Sequence, residues 1–215
     1  MDRETPMKLY DCTTAPSPRR VRIFLAEKGI TVPTVEVNLR EREQFTPAFA
    51  ALNPDLTVPV LELDDGTRIT DPIGICTYFE EVQPTPPLMG TDPTSKAVVS
   101  SAQRWAEREG FYAMMEAFRN STPGMKDRAI PGPVPFAQIP ELAQRGLKRM
   151  ELFFQGLDDR LGRSEYLAGD RYTMADITAQ ITVDWAGWIK LAPPESCRNV
   201  KRWHDAVSAR PSAKA

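Results

Sequence analysis

A chain of 215 residues, 41% hydrophobic and 26% charged, has a globular composition with room for one large domain or two small ones. Its net charge of −2 gives no footprint for nucleic acid or an anionic membrane, and no apolar run approaches the roughly 18 residues that span a bilayer. One histidine, His204, and three widely spaced cysteines, Cys12, Cys76 and Cys197, argue against a His-based triad, a metal site and a disulfide framework. The first residues, MDRETPMKLY, lack the apolar core of a signal peptide, so the cytoplasm is the expected location.

Met7 to Tyr10 reads as a short strand. The loop Asp11 to Pro18, DCTTAPSP, follows it. Arg20 to Lys28 then has helical spacing, with Val21, Phe24 and Leu25 apolar and Gly29 as its stop. Val32 to Leu39 alternates Val35, Val37 and Leu39 against Thr34, Glu36 and Asn38, the period of a strand. Gln44 to Leu52 reads as a short helix or an irregular segment.

Val58-Pro59-Val60-Leu61 and Thr67 to Thr70 flank Asp64-Asp65-Gly66, a β-hairpin signal. Pro59 has no N–H for a ladder, so it marks a strand start, a bulge or a cis bond. Asp71-Pro72 then fits the N-cap and first position of a helix carrying Ile73, Ile75, Tyr78 and Phe79. The resulting order is βαβαββα, with the βαβ half parallel and right-handed and the hairpin antiparallel.

Glu81 to Pro93 holds four of the chain's 20 prolines and reads as a linker. The rest is helical in pattern. Lys96 to Phe118 is a long amphipathic helix carrying Val99, Trp105 and Phe111. Asn120 to Pro140 cannot be one regular helix, because Pro123, Pro131, Pro133, Pro135 and Pro140 interrupt it. It is an ordered loop or a mobile lid, a kind of segment that is often functional. Glu141 to Leu161 is another helix, with Leu147, Met150, Leu152, Phe154 and Leu157 apolar. Thr173 with Asp176 three residues on makes a capping-box start for the next helix.

Three stretches carry a family resemblance. They are Asn53-Pro54 leading to Val58-Pro59-Val60-Leu61, the Asp-Gly turn with Ile69-Thr70-Asp71 before a helix, and the run YLAGDRYTMAD from Tyr166 to Asp176. Together they resemble the glutathione S-transferase family of the cytosolic type, from Met7 to about Pro211. The resemblance implies an α/β thioredoxin-like domain over residues 1–83, a linker over 84–94 and an all-α helical domain over 95–215. It implies glutathione as co-substrate without a metal, a hydrophobic electrophile as second substrate, and a homodimer. In that dimer the thioredoxin-like domain of one subunit pairs with the helical domain of the other. Asp176 is given a structural capping role.

Such an enzyme must lower the thiol pKa of glutathione, because the thiolate is the nucleophile. A hydroxyl or thiol at the start of the first helix donates to the sulfur, and the helix dipole adds positive potential. By the family's spacing, the usual Ser, or Cys in the omega class, falls on Ala15, which cannot donate. Ser17 ranks first as the replacement, then Thr14, then Thr13. Ser17 also reads as a helix N-cap before Pro18. Cys12 fits a small buried thiol better than a partner for a mixed disulfide. Tyr10 fits core or site wall.

For the tripeptide, the resemblance implies Val58 and Pro59 at the cysteinyl backbone, through a cis Val-Pro bond. It implies Asp71, Pro72 and Ile73 at the γ-glutamyl end, with Gln44 or Thr57 near the glycine end. Pro72 stands where the family usually has Ser, so a hydroxyl and an N–H are missing there. Ile73 and Gly74 are expected to offer free N–H groups instead. Arg19, Arg20 and Arg22 either add positive charge or form a solvated face. Arg104, Arg108, Phe111, Tyr112 and Met115 are candidates for the second-substrate pocket by helical spacing.

The leading expectation is transfer of glutathione to electrophilic small molecules, or its use in disulfide or peroxide reduction. The alternative is a non-catalytic ligand-binding or protein-interaction module on the same fold, which the departures at Ala15 and Pro72 favour. A zeta- or theta-like isomerase or dehalogenase ranks last, since no Ser-Ser-Cys run is present.

Overall fold

The computed structural model describes residues 7–215. The chain divides into two compact units. The first runs to Pro86 and includes Pro131–Pro135; the second holds Pro87–Ile130 and Phe136–Lys214.

The first unit is built on a four-stranded sheet of order β2-β1-β3-β4. The strands are β1 (Lys8–Asp11), β2 (Thr34–Glu36), β3 (Val60–Glu62) and β4 (Arg68–Ile69). β1 pairs with β2 in parallel, Leu9 opposite Thr34. β1 pairs with β3 antiparallel, Leu9 opposite Leu61, and β3 with β4 antiparallel, Leu61 opposite Ile69. Helices α1 (Pro16–Lys28), α2 (Pro47–Leu52) and α3 (Pro72–Val82) complete the βαβαββα order read from the sequence. The β3–β4 turn closes where Gly66 takes a φ of 83°, with its N–H donating to the Leu63 carbonyl.

Val37, Phe49, Leu52 and Val60 form a core cluster, against which Tyr10, Leu39 and Val58 pack. The alternation expected over Val32 to Leu39 is only partly used. β2 is three residues long and lies at the sheet edge, so Val35 is 40% exposed while Val37 is buried just beyond it. At the other end of α1, the buried Lys28 ammonium pairs with Glu80 at 2.7 Å. It also donates to the carbonyls of Gln83 and Pro86, so one satisfied cation ties together the ends of α1 and α3.

The second unit is helical. It contains α4 (Pro93–Trp105), α5 (Tyr112–Ser121), α6 (Pro140–Leu161), α7 (Met174–Ala186) and α8 (Arg198–Ser208). The helix expected over Lys96 to Phe118 begins earlier, at Pro93 behind a capping box on Asp92, and it widens to a π-helix at Ala106–Phe111. Gly110 in that wide turn lies under the Phe153 ring, where a Cβ would come within 2.6 Å. Between the end of α5 and the start of α6, residues 122–139 form no regular helix, as their prolines require. They hold a 3-10 turn at Pro123–Met125 and a single bridge between Arg128 and Phe136.

α6 buries Ala143, Gly146, Met150, Phe153, Phe154 and Leu157. Leu147 and Leu152, expected on the apolar side, are 38% and 56% exposed. Gly146 fixes the face: a Cβ there would meet the Ala117 backbone nitrogen at 2.5 Å, so α5 and α6 meet along the small residue. Thr173 and Asp176 form the capping box read from their spacing. Among the described residues, no helix is long and apolar enough to cross a membrane.

Candidate active site

The start of α1 follows directly from its sequence. Pro16 and Pro18 supply no N–H, and Ala15 is the N-cap with extended backbone and no side-chain cap. The N-cap reading of Ser17 is therefore corrected. Two prolines pre-set for helix pull the start forward, and Ser17 lies inside the first turn. The Arg20 Nη2 donates to Ser17 Oγ at 3.2 Å. That bond uses a lone pair of the hydroxyl and leaves its proton free to donate.

The loop before the helix is tied down. Arg22 pairs with Asp11 at 2.7 Å and donates to the carbonyls of Cys12 and Thr13. Burial pushes the Asp11 carboxyl up, while the Arg22 guanidinium and the Cys12 N–H pull it down. The sequence does not single out Asp11, because its role depends on a contact 11 residues away. Arg20 is buried and Arg22 is ion-paired, so neither belongs to a solvated face. The Thr13 N–H and hydroxyl both donate to Glu36, at 3.1–3.2 Å, which occupies that hydroxyl. The Thr14 Oγ1 lies 3.5 Å from the Cys12 Sγ. All three cysteines are free and buried. Burial raises the Cys76 thiol far above its ordinary value and raises the Cys197 thiol as well, so neither is a ready thiolate at neutral pH.

The Val58-Pro59 bond is cis. The β3 ladder begins at Val60, so the Val58 backbone groups fall outside it. Asn53 braces the turn ahead of them, its amide donating to the Thr57 carbonyl at 2.8 Å and to the Thr57 hydroxyl at 3.1 Å. Gln44 is 3% exposed, and its Oε1 has no hydrogen-bond partner.

At the start of α3 one expectation is overturned. Asp71 is the N-cap, and its Oδ1 accepts from both the Ile73 and Gly74 N–H groups at 2.8 Å. Those donors are not free, because a short carboxylate at an N-cap reaches the second and third helical N–H of its own chain. Pro72 supplies none. What the turn presents is the second Asp71 oxygen, an acceptor that suits an ammonium group.

Arg108 and Tyr112 lie in the second unit. Arg108 pairs with Glu109 at 2.6 Å, and Tyr112 is 40% exposed beside Phe111. Among the described residues no cluster of three or more His, Cys, Asp or Glu side chains is arranged to hold a metal.

Residues 14–82 match the family described as glutathione S-transferase, N-terminal domain, and residues 109–211 match glutathione S-transferase, C-terminal domain. Glutathione S-transferase 2 of Saccharomyces cerevisiae is 36% identical over 213 residues, covering 97% of this chain and 88% of its own. The crystal structure of Gtt2 from the same yeast superposes with a TM-score of 0.89 at 35% identity, covering 96% of this chain and 98% of that one. A glutathione S-transferase domain-containing protein from Marinobacter aquaeolei also gives 0.89, at 37% identity over 95% of this chain and 98% of its own. A maleylacetoacetate isomerase of Pseudomonas aeruginosa is 41% identical over a shorter stretch of 93 residues, 42% of this chain and 44% of its own. With both halves matched and relatives aligned over nearly their whole length, the chain belongs to the glutathione S-transferase family and is an enzyme of the glutathione transferase type.

Proposed function

We propose that the protein binds reduced glutathione on its first unit, holds the sulfur as a thiolate at the start of α1, and transfers it to an electrophilic small molecule. The observation that carries this reading is the Ser17 hydroxyl, which accepts from Arg20 and keeps its proton to donate. A hydrogen bond to an anion is about twice as strong as a neutral one, and a donor polarised by a cation is stronger again. The thiol proton leaves to solvent. The thiolate then attacks the electrophilic carbon, a C–S bond forms, and the leaving group departs with its bonding pair or the π bond opens.

Thr14 is the second hydroxyl in reach. Thr13 is third, being committed to Glu36. Val58 offers its N–H and C=O to the cysteinyl residue, and Asp71 holds the γ-glutamyl ammonium with its second oxygen. Transfer is favoured over disulfide reduction because a mixed disulfide with the protein has no exposed cysteine to use. Arg108 and Tyr112 are assigned to the electrophile. The protein is cytoplasmic, acts in detoxification and is a homodimer, for which light scattering on a sizing column is expected to give twice the 24.1 kDa chain mass.

A calorimetric titration with reduced glutathione tests the binding step, and a generic conjugation assay tests the transfer. Binding in the micromolar to low millimolar range is expected. No heat at about 10 mM, an affinity weaker than roughly −2.7 kcal/mol, removes glutathione from the reading. The same titration checks a gain of function. Pro72→Ser returns an N–H and a hydroxyl to a turn whose other two donors are spent on Asp71. It is expected to tighten glutathione about tenfold, since one hydrogen bond to a carboxylate contributes roughly 1.5–3 kcal/mol. An unchanged affinity would place the γ-glutamyl carboxylate elsewhere.

A further inference from the structure

A cavity of about 640 Å³ lies in the second unit, between the first part of α4 and the end of α6. Its apolar walls are Pro93, Ala97, Val98 and Ala102 of α4 and Leu167 of the loop before α7. Ala102 and Leu167 are buried and Val98 is 47% exposed, so the apolar surface runs from the floor to the mouth. Thr94, Ser101 and Arg160 are the polar lining, and all three are exposed. A volume of this size, with apolar walls and a few polar groups, is what small-molecule sites present. Leu167 is fixed by its N–H, which donates to the buried Asp176 at 3.0 Å.

Among the described residues, Arg160 is the one charged group in that lining. Its guanidinium lies 4.2 Å from the centroid of the Trp105 ring. Trp105 stacks on the buried Phe153, with centroids 5.3 Å apart and planes inclined by 29°. Gly156, one turn before Arg160 on α6, makes room for the indole: a Cβ there would stand 3.2 Å from the ring. Among the described residues the guanidinium has no carboxylate partner and no hydrogen-bond acceptor. The ordinary task of an arginine in the last turn of a helix is to satisfy the last carbonyls. Here other residues do so. Asn199 Nδ2 donates to the Asp158 carbonyl and Arg202 Nη2 to that of Leu161. The aromatic contact orders the guanidinium and leaves its N–H groups to a ligand.

We propose that this cavity binds an organic monocarboxylate, its carboxylate on Arg160 and its apolar body against Val98, Ala102 and Leu167. A planar guanidinium pairs with both oxygens of a carboxylate at once. One cation with two neutral hydroxyls, Thr94 and Ser101, matches a single negative charge, whereas a phosphate dianion would keep one charge unmatched. None of these residues is assigned to glutathione or to the electrophile. The site therefore goes beyond the transfer reaction, and its test stands apart from that reading.

The test is a calorimetric titration of the full chain without glutathione. The probes are 2-naphthoate, the neutral 2-naphthamide and inorganic phosphate. The acid is expected to bind at least about tenfold tighter than the amide, the factor one charged hydrogen bond contributes. Phosphate is expected to give no heat up to about 10 mM. Arg160→Gln is expected to remove the preference for the acid and to leave the amide affinity unchanged, which shows the cavity intact. Ala97→Leu, at an exposed position where a larger side chain fills the cavity, is expected to weaken acid and amide alike. Equal binding of acid and amide, phosphate binding as tight as naphthoate, a preference that survives Arg160→Gln, or no naphthoate binding up to about 10 mM overturns the proposal. So does loss of the amide together with the acid in Arg160→Gln, since the guanidinium would then shape the cavity rather than hold the anion. Sedimentation of the parent and of Ala97→Leu covers the remaining occupant. A subunit association that Ala97→Leu breaks, with no naphthoate bound to the parent, gives this face to a second copy of the chain and overturns the proposal too.

Discussion

Asp176→Ala is expected to lower stability by about 3–5 kcal/mol, the range for opening a buried charged network. At a chain length near 200 this corresponds to a melting temperature roughly 10 °C lower. The carboxylate is fully buried at the start of α7 and accepts four hydrogen bonds. Oδ1 accepts from the Leu167 N–H and the Trp203 Nε1, both at 3.0 Å. Oδ2 accepts from the Thr173 N–H and hydroxyl, also at 3.0 Å. One side chain thus holds the loop before α7, the α7 cap and the indole of α8. Alanine leaves two backbone N–H groups and an indole N–H buried without acceptors, each at about 1–3 kcal/mol. Thermal unfolding followed by circular dichroism measures the loss. A drop under about 1 kcal/mol would mean that water enters and replaces the carboxylate.

The pH dependence of that loss has a definite sign. Burial pushes the Asp176 carboxyl up to about 6 from 3.8, against the pull of its four donors. Between those two values the folded protein binds more protons here than the unfolded chain does. This group therefore adds stability as pH falls through 6 and stops adding below 3.8, the reverse of a salt-bridged carboxylate. The gap between parent and Asp176→Ala is expected to widen by about 1 kcal/mol from pH 7 to pH 5. A gap that narrows instead would show that the hydrogen bonds outweigh the desolvation.

Local patterns were the legible part of the fold. The Thr173–Asp176 spacing and the Asp65-Gly66 turn each need only a few adjacent residues, and both stand where expected. What depended on a distant neighbour was not legible. Leu147 and Leu152 match the helical period, but the close approach of Ala117 to Gly146 decides which side of α6 is buried. The π-turn at Ala106–Phe111 carries no propensity signal. At the candidate site the local structure was legible, and the saturation of its donors was not. Asp71 and the helix start after it were found, yet nothing in the letters says that Asp71 already occupies the Ile73 and Gly74 donors. Likewise the hydroxyls of Thr13 and Ser17 look equivalent in a polar loop until Glu36 accepts from one and Arg20 donates to the other.

Ser17→Ala is expected to lower kcat/KM at neutral pH by about tenfold to a hundredfold, because the thiolate loses one charge-assisted hydrogen bond of roughly 1.5–3 kcal/mol. A thiolate acceptor favours the charged form, so removing the donor raises the thiol pKa by about 1–2 units. The loss is therefore largest below the parental thiol pKa and shrinks as pH rises above the new one, where the thiol ionises unaided. The measurement is the ultraviolet absorbance of the bound thiolate against pH, with the rate profile beside it. Both curves should move to higher pH together. Stability should stay within about 0.5 kcal/mol, since Ser17 is partly exposed in a first turn and alanine is a good helix former. This separates a lost donor from a damaged helix, which would lower the rate at every pH. Thr14→Ala serves as the comparison. If it moves the curve and Ser17→Ala does not, the donor is Thr14, and the Arg20 bond only orders the turn. If neither moves it, α1 supplies dipole and backbone alone, and the Ala15 position needs no hydroxyl substitute at all.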